Sequence, residues 1–215
     1  MIFKDRIDAA EKLAKKLEWI KKENPVILAI PRGGVVTGDV IAKTLGLSLD
    51  IVVSRKIGAP YNPELAIGAV VHDGSFFPNS DLIDALGIPK KYLDEQIAEQ
   101  LEEIEHRLVK FRGRKDYDLN DKTVVLVDDG IATGATVFVA VEWIKRQKPK
   151  RIIVAIPVGP RDTIERLSKI AEVVVLYDPV MFGAVGEFYH SFEQVEDYQV
   201  AEIMSSYGYR PKNLK

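Results

Sequence analysis

Two kinds of apolar pattern alternate along this chain. In residues 6–22 the apolar positions Ile7, Ala10, Leu13, Leu17 and Ile20 recur at helical spacing, which predicts a helix closed by Asn24-Pro25. VILAI (26–30) is instead a short unbroken apolar run, cut by Pro31 and the Gly33-Gly34 pair, and reads as a buried strand. VVTGDVIAKTLG (35–46) is expected as a helix ending at Gly46, and LDIVVS (49–54) as a second strand. Strand, helix, strand at this spacing predicts a parallel βαβ unit.

Residues 55–66 lack periodicity and carry two prolines, a glycine and three charges, so they are expected as a loop. IGAVV (67–71) returns to strand, and SFF (75–77) is placed to pair with it across an Asp73-Gly74 turn. Residues 92–111 predict a long helix with Leu93, Ile97, Leu101, Ile104 and Leu108 on one face. After a charged surface loop at 112–122, strands at 123–128, 151–157 and 172–177 alternate with helices at 134–147 and 161–170, and a last helix is expected over 195–206. The strands are continuous apolar runs rather than alternating ones. That marks a parallel sheet covered on both faces. The expected fold is α/β: one domain over 1–215, with an open, mainly parallel twisted sheet flanked by helices.

Composition narrows the class. The 215 residues are 47% hydrophobic, enough for one good-sized core. The net charge of −2 and the lack of a basic block speak against nucleic acid as a partner. The absence of cysteine excludes disulfides, thiolate metal sites and a Cys nucleophile. The charged N-terminal stretch is unlike a signal peptide, and no apolar run reaches the length of a membrane span, so a cytoplasmic setting is expected.

In open α/β sheets ligands bind beyond the carboxyl ends of the strands. There the segment TVVLVDDGIATGATV (123–137) ends an apolar run on two adjacent carboxylates, Asp128 and Asp129. Gly130 to Thr136 follow as a small-residue entry into a helix. Small side chains let backbone N–H groups converge, the helix N-terminus adds partial positive charge, and Thr133 and Thr136 add hydroxyls. That describes a phosphate cradle. The acid pair would repel phosphate bound close to it, so it must serve hydroxyls or a cation. Phosphate at one end and a diol at the next describe a sugar phosphate.

This segment resembles the phosphoribosyl pyrophosphate (PRPP) signature of the type I phosphoribosyltransferases, and the likeness extends over nearly the whole chain. More narrowly, RKIGAPYNPELAIG and MFGAVGEFYHSFEQVEDYQV resemble a little-characterised branch of that family. The resemblance implies that Asp128 and Asp129 contact the ribose 2′- and 3′-hydroxyls and touch Mg²⁺ directly or through water. It assigns the 5′-phosphate to Gly130, Ile131, Ala132, Thr133, Gly134, Ala135 and Thr136. Ala135 stands where many members have glycine, which should narrow the loop. PRGGV (31–35) resembles the pyrophosphate loop, often cis at a non-proline bond, with Arg32 supplying charge and Gly33 and Gly34 the backbone freedom. RKIGAPYNPELAIG resembles the mobile active-site loop, with Arg55 and Lys56 as catalytic cations and Glu64 orienting metal-bound water or a base. Phe182 and Tyr189 fall where the family binds its acceptor, under a small C-terminal hood. The helix at 92–111 is the least familiar part and reads as an insertion.

The implied activity is Mg²⁺-dependent phosphoribosyl transfer from PRPP to a nitrogenous, nucleobase-like acceptor, with release of pyrophosphate and a homodimer as the expected assembly. Purine salvage members carry a lysine in the loop that here reads AIPVGPRD, with Arg161 the nearest cation, so no base is assigned. The alternative is a catalytically silent module that senses PRPP or a nucleotide. A phosphotransferase on a similar sheet is a third class, weakened by the lack of a G-x-x-x-x-G-K-[ST] loop.

Overall fold

The computed structural model describes residues 2–212. Five strands form the main sheet: β1 (Val26–Ala29), β2 (Ser48–Ile51), β6 (Thr123–Val127), β7 (Arg151–Val158) and β8 (Glu172–Tyr177). Their order is β2-β1-β6-β7-β8, and every neighbouring pair is parallel. The open parallel sheet expected from the apolar runs is therefore present.

The sheet is covered on both sides, and the strands divide their side chains accordingly. Ile27 and Ala29, Val125 and Val127, and Ile153 and Ala155 face one core. It is filled by Leu13 and Leu17 near α1 (Arg6–Lys16), Ile41 and Leu45 of α2 (Gly33–Leu45), and Val200 and Met204 of α7 (Asp197–Ser206). Leu28, Leu126, Val154 and Ile156 face the other, with Val139, Ala140 and Trp143 of α5 (Ala135–Arg146) and Leu167 of α6 (Arg161–Leu167). A strand buried on both faces has no position at which water tolerates a polar residue, hence the unbroken runs.

Two expectations need correction. The helix expected over 6–22 ends at Lys16 and tightens into a 3-10 segment, Glu18–Glu23, which swings Leu17 and Ile20 into the core but leaves Ile7 half exposed. Residues 55–66 are not a loop. β3 (Ser54–Ala59) and β4 (Asn62–Val71) pair antiparallel, with register shifts at Gly58, and β5 (Phe76–Pro78) adds across the Asp73-Gly74 turn as expected. A short helix, α3 (Ser80–Leu86), follows with Asn79 as its cap.

The long helix α4 (Lys90–Phe111) packs on this small sheet rather than standing apart. The Tyr92 hydroxyl donates to the Gly58 carbonyl (2.9 Å), and Arg55 Nε donates to Gln100 Oε1 (2.9 Å). The Ile104, Leu108 and Phe111 end of α4 is buried in the main core, so one helix ties the hairpin to the body of the molecule. Among the described residues no helix is long and apolar enough to cross a membrane.

Candidate functional site

The strand order reverses between β1 and β6: the chain steps outward from β1 to β2, then returns to the far side of β1 and continues through β7 to β8. The loops that leave β1 and β6 splay apart at such a switch point and leave a crevice. One of them is Pro31–Gly34 and the other runs from Asp128 to Thr136, so both sequence motifs meet in one place.

The two loops interlock. A Cβ on Gly33 would lie 1.8 Å from Asp129 Oδ2, and one on Gly34 would lie 2.9 Å from both Cα and Oδ1 of Asp128. Only a residue without a side chain lets the acid pair sit on this backbone. The Pro31–Arg32 peptide bond is cis, as the resemblance led one to expect.

The acids differ in setting. Asp128 Oδ1 accepts the Asp129 amide (2.8 Å), and burial, reinforced by the adjacent Asp129 carboxylate, holds the Asp128 carboxyl well above the ordinary range. Asp129 Oδ2 receives Arg6 Nε at 2.6 Å, in a pair that is only 12% and 14% exposed. Arg6 was not singled out from the sequence. It lies 123 residues upstream on the first turn of α1, where no local pattern signals it.

The phosphate-loop candidates lie at the entry to α5. Gly134 adopts a left-handed conformation (φ 76°) and caps α5, and Ala135 and Thr136 form the helix's first turn rather than a loop. The first amides of a helix have no intrahelical acceptor and point at whatever sits before it. Ile131 is buried, with its amide bound to the Val158 carbonyl (3.0 Å), and the Thr163 hydroxyl donates to the Ala132 carbonyl (3.0 Å), so neighbouring strand and helix ends fix the loop's shape. Asp128 and Gly130 to Thr136 line a cleft of about 940 Å³, closed on its other side by β4, the start of α3 and Lys56.

The hairpin splits the expected cation pair. Successive strand residues point to opposite faces. Lys56 faces the cleft, while Arg55 turns to α4 and Gln100, where burial and the nearby Arg107 charge lower its pKa. Arg32 pairs with Asp197 at the start of α7 (3.5 Å), an acid also held by Lys110 (2.7 Å). The side chain of Glu64 lies outside the described residues.

Of the two aromatic candidates, Tyr189 is placed differently from expectation. Tyr189 is buried and stacks on Phe192, and its hydroxyl donates to the Asp129 carbonyl (2.5 Å). Its ring is therefore closed to an acceptor, and it holds the acid-bearing loop instead. Phe182 stacks on Phe188 with centroids 5.1 Å apart and remains part-exposed. The densely aromatic segment covers its own apolar surface, which is why aromatic density alone did not mark a base site. As to metal, no cluster of three or more His, Asp or Glu among the described residues makes a cage.

An open parallel sheet with its crevice at the β1/β6 switch point places the molecule among the doubly wound α/β proteins. The chain belongs to the phosphoribosyl transferase domain family, which matches residues 2–193. Proteins named "Putative phosphoribosyl transferase" from two strains of Mycobacterium tuberculosis are 38% identical over 205 residues, 94% of this chain. The chain spans 46% of the length of these curated relatives. The crystal structure of TT1426 from Thermus thermophilus is 39% identical and superposes with a TM-score of 0.83, covering 96% of this chain and 99% of that one.

Proposed function

We propose that this chain transfers the phosphoribosyl group of PRPP to a nitrogen nucleophile and releases pyrophosphate. The observation that carries the reading is the acid pair at the end of β6, locked onto the Pro31–Gly34 backbone and running directly into the small-residue start of α5. The amides and hydroxyls of Thr133 to Thr136 hold the 5′-phosphate, and Asp128 and Asp129 accept from the ribose hydroxyls. Pyrophosphate lies along the backbone of the Arg32–Gly34 loop, which Gly33 and Gly34 allow to pack closely against the acid pair.

The C1′–O bond breaks with its electron pair leaving on pyrophosphate. The lone pair of the acceptor nitrogen forms the new C1′–N bond, and the acceptor's proton passes to solvent. The residues' work is to position the ring and to stabilise charge, Lys56 for the leaving group and the acid pair for the cationic ring. Asp128 and Asp129 are the side chains that would hold a Mg²⁺, directly or through its waters, and such an ion would offset charge on the leaving group. Phe182 is retained as the aromatic for the acceptor, since part of its ring is accessible. A cytoplasmic homodimer belongs to the same reading and is checked by light scattering and cell fractionation.

The test is pyrophosphate release from PRPP and Mg²⁺ with a panel of bases and amines. Release with one acceptor, lost in the double variant Asp128→Asn/Asp129→Asn, supports transfer. Tight PRPP binding with no turnover on any acceptor replaces transfer by sensing, and absence of PRPP binding removes both.

A further inference from the structure

Asp129 is held from three parts of the chain that are far apart in sequence. Arg6 Nε donates to its Oδ2 (2.6 Å), the Tyr189 hydroxyl donates to its carbonyl (2.5 Å), and Gly33 lies beneath its carboxylate. Arg6 is itself fixed on three sides. Asp5 caps α1, its side chain accepting the Asp8 amide (2.9 Å), which sets Arg6 at the first helical position. Arg6 Nη1 donates to the Glu193 carbonyl (2.6 Å), and the guanidinium lies 3.9 Å from the centroid of the Phe192 ring. The segment before α1 is pinned to the hood by Phe3 N to the Phe188 carbonyl (2.8 Å), His190 N to the Phe3 carbonyl (2.9 Å) and Ser191 N to the Lys4 carbonyl (2.9 Å).

This arrangement divides the four carboxylate oxygens of the acid pair. Arg6 takes Oδ2 of Asp129, and the Asp129 amide takes Oδ1 of Asp128. Among the described residues, no other N–H group donates to either carboxylate. The two carboxyls also lie against each other, a contact that helps to raise the Asp128 pKa. Ionised carboxylate oxygens accept from the hydroxyls of a vicinal diol. A carboxylate on a single bond rotates unless something fixes it, and a planar guanidinium stacked on a ring is a rigid clamp for one oxygen.

We propose that Arg6 is a positioning residue for the sugar site: by holding Oδ2 of Asp129 it fixes the orientation of that carboxylate and couples the acid to the docking of the hood. The inference rests on the PRPP reading. Arg6 acts through Asp129, so its contribution should exist only while the Asp129 carboxylate does. A residue that merely stabilised the fold would act on binding independently of Asp129, and independent effects add.

The experiment measures PRPP affinity by calorimetry in the presence of Mg²⁺, for the full chain and for Arg6→Gln, Arg6→Lys, Asp129→Asn and Arg6→Gln/Asp129→Asn. Arg6→Gln is expected to weaken PRPP about 10- to 100-fold, as a displaced reactive group does. Arg6→Lys should recover part of that loss, and the double variant should bind no more weakly than Asp129→Asn alone. Phe192→Leu, which removes the ring under the guanidinium and leaves the ion pair, should lose a few-fold in the same direction. It provides the same reading if Arg6→Gln does not fold. Wild-type affinity in Arg6→Gln, or losses that add in the double variant, overturns the positioning role while leaving the PRPP reading intact. If Arg6→Gln does not fold, wild-type affinity in Phe192→Leu does the same. Failure of the wild-type chain to bind PRPP overturns both.

Discussion

Arg112 grips both carboxylate oxygens of Asp50, Nε at 2.6 Å and Nη2 at 2.8 Å, with its own side chain fully buried. The guanidinium also faces the Tyr117 ring at 3.8 Å and donates to the Arg114 carbonyl (3.0 Å). The pair joins the end of α4 to β2, at the edge of the main sheet.

Breaking such a pair leaves one buried charge alone. Asp50→Leu or Arg112→Met should each lower stability by about 3–5 kcal/mol, whereas the double change Asp50→Leu/Arg112→Met should cost far less than the two single losses combined. Urea unfolding of the four proteins checks this. Additive losses would show that the pair is not coupled.

Gly33 and Gly34 both let the loop after β1 pack against the acid pair. A methyl at Gly33 would lie 1.8 Å from Asp129 Oδ2 and 2.9 Å from Arg6 Nε, so it must displace the oxygen that Arg6 holds. Gly33→Ala is therefore expected to lower the melting temperature through loss of that ion pair and to bind PRPP about 100-fold more weakly. A methyl at Gly34 meets backbone instead, Asp128 Cα at 2.9 Å and the Val127 carbonyl at 3.0 Å. Gly34→Ala should lose about 1–3 kcal/mol of stability as well.

Lys56 and Arg55 should give different phenotypes although they are neighbours. Lys56 borders the cleft, so Lys56→Ala is expected to lower kcat/KM for PRPP about 100-fold with the melting temperature near wild type. Arg55 is bound to Gln100 on α4, so Arg55→Ala should chiefly raise amide exchange across β3 and β4. Equal kinetic losses in both would contradict the split.

His72 makes stability depend on pH. It lies between the Tyr117 and Trp143 rings, 4.7 Å from each centroid, and burial lowers its pKa from 6.5 to about 4, against a smaller opposing effect of Asp73. Above pH ~6.5 the imidazole is neutral in both folded and unfolded chains and its contribution is constant. Between ~6.5 and ~4 the unfolded chain binds the proton first, so stability falls as pH falls, by at most about 1.4 kcal/mol per unit. Denaturant midpoints measured from pH 7.5 to 4.5 (about three units, spanning the reference value) should drop more steeply for wild type than for His72→Phe. Parallel curves would remove His72 from the account.

The parts of the molecule visible in the sequence are those built from local patterns. Residues buried on both faces wrote β1, β6 and β7 as unbroken apolar runs, and DDGIATGAT together with PRGG marked the switch point because each loop carries its own chemistry. The β3–β4 hairpin was hidden for a physical reason. Its glycines and prolines match loop composition, and its strands are stabilised by pairing with each other and by Tyr92 and Gln100 of α4, none of which is local. The same holds for the residues that hold the acids. Arg6 is one charge among many on an amphipathic helix until folding places it 2.6 Å from Asp129, and the aromatic run at 182–192 could not be divided in advance into ring surface buried by its own neighbours and ring surface left to solvent.

The acid at 129 is gripped by Arg6 and Tyr189, from opposite ends of the chain, which has a consequence for biosynthesis. While the chain is being made, β1 to β8 can all have left the ribosome while Asp129 still lacks its partners in the segment through Phe192 and one face of the sheet still lacks Val200 and Met204 of α7. Nascent chains stalled before that point should therefore resist protease less than the full chain, with the acid-bearing loop not yet held.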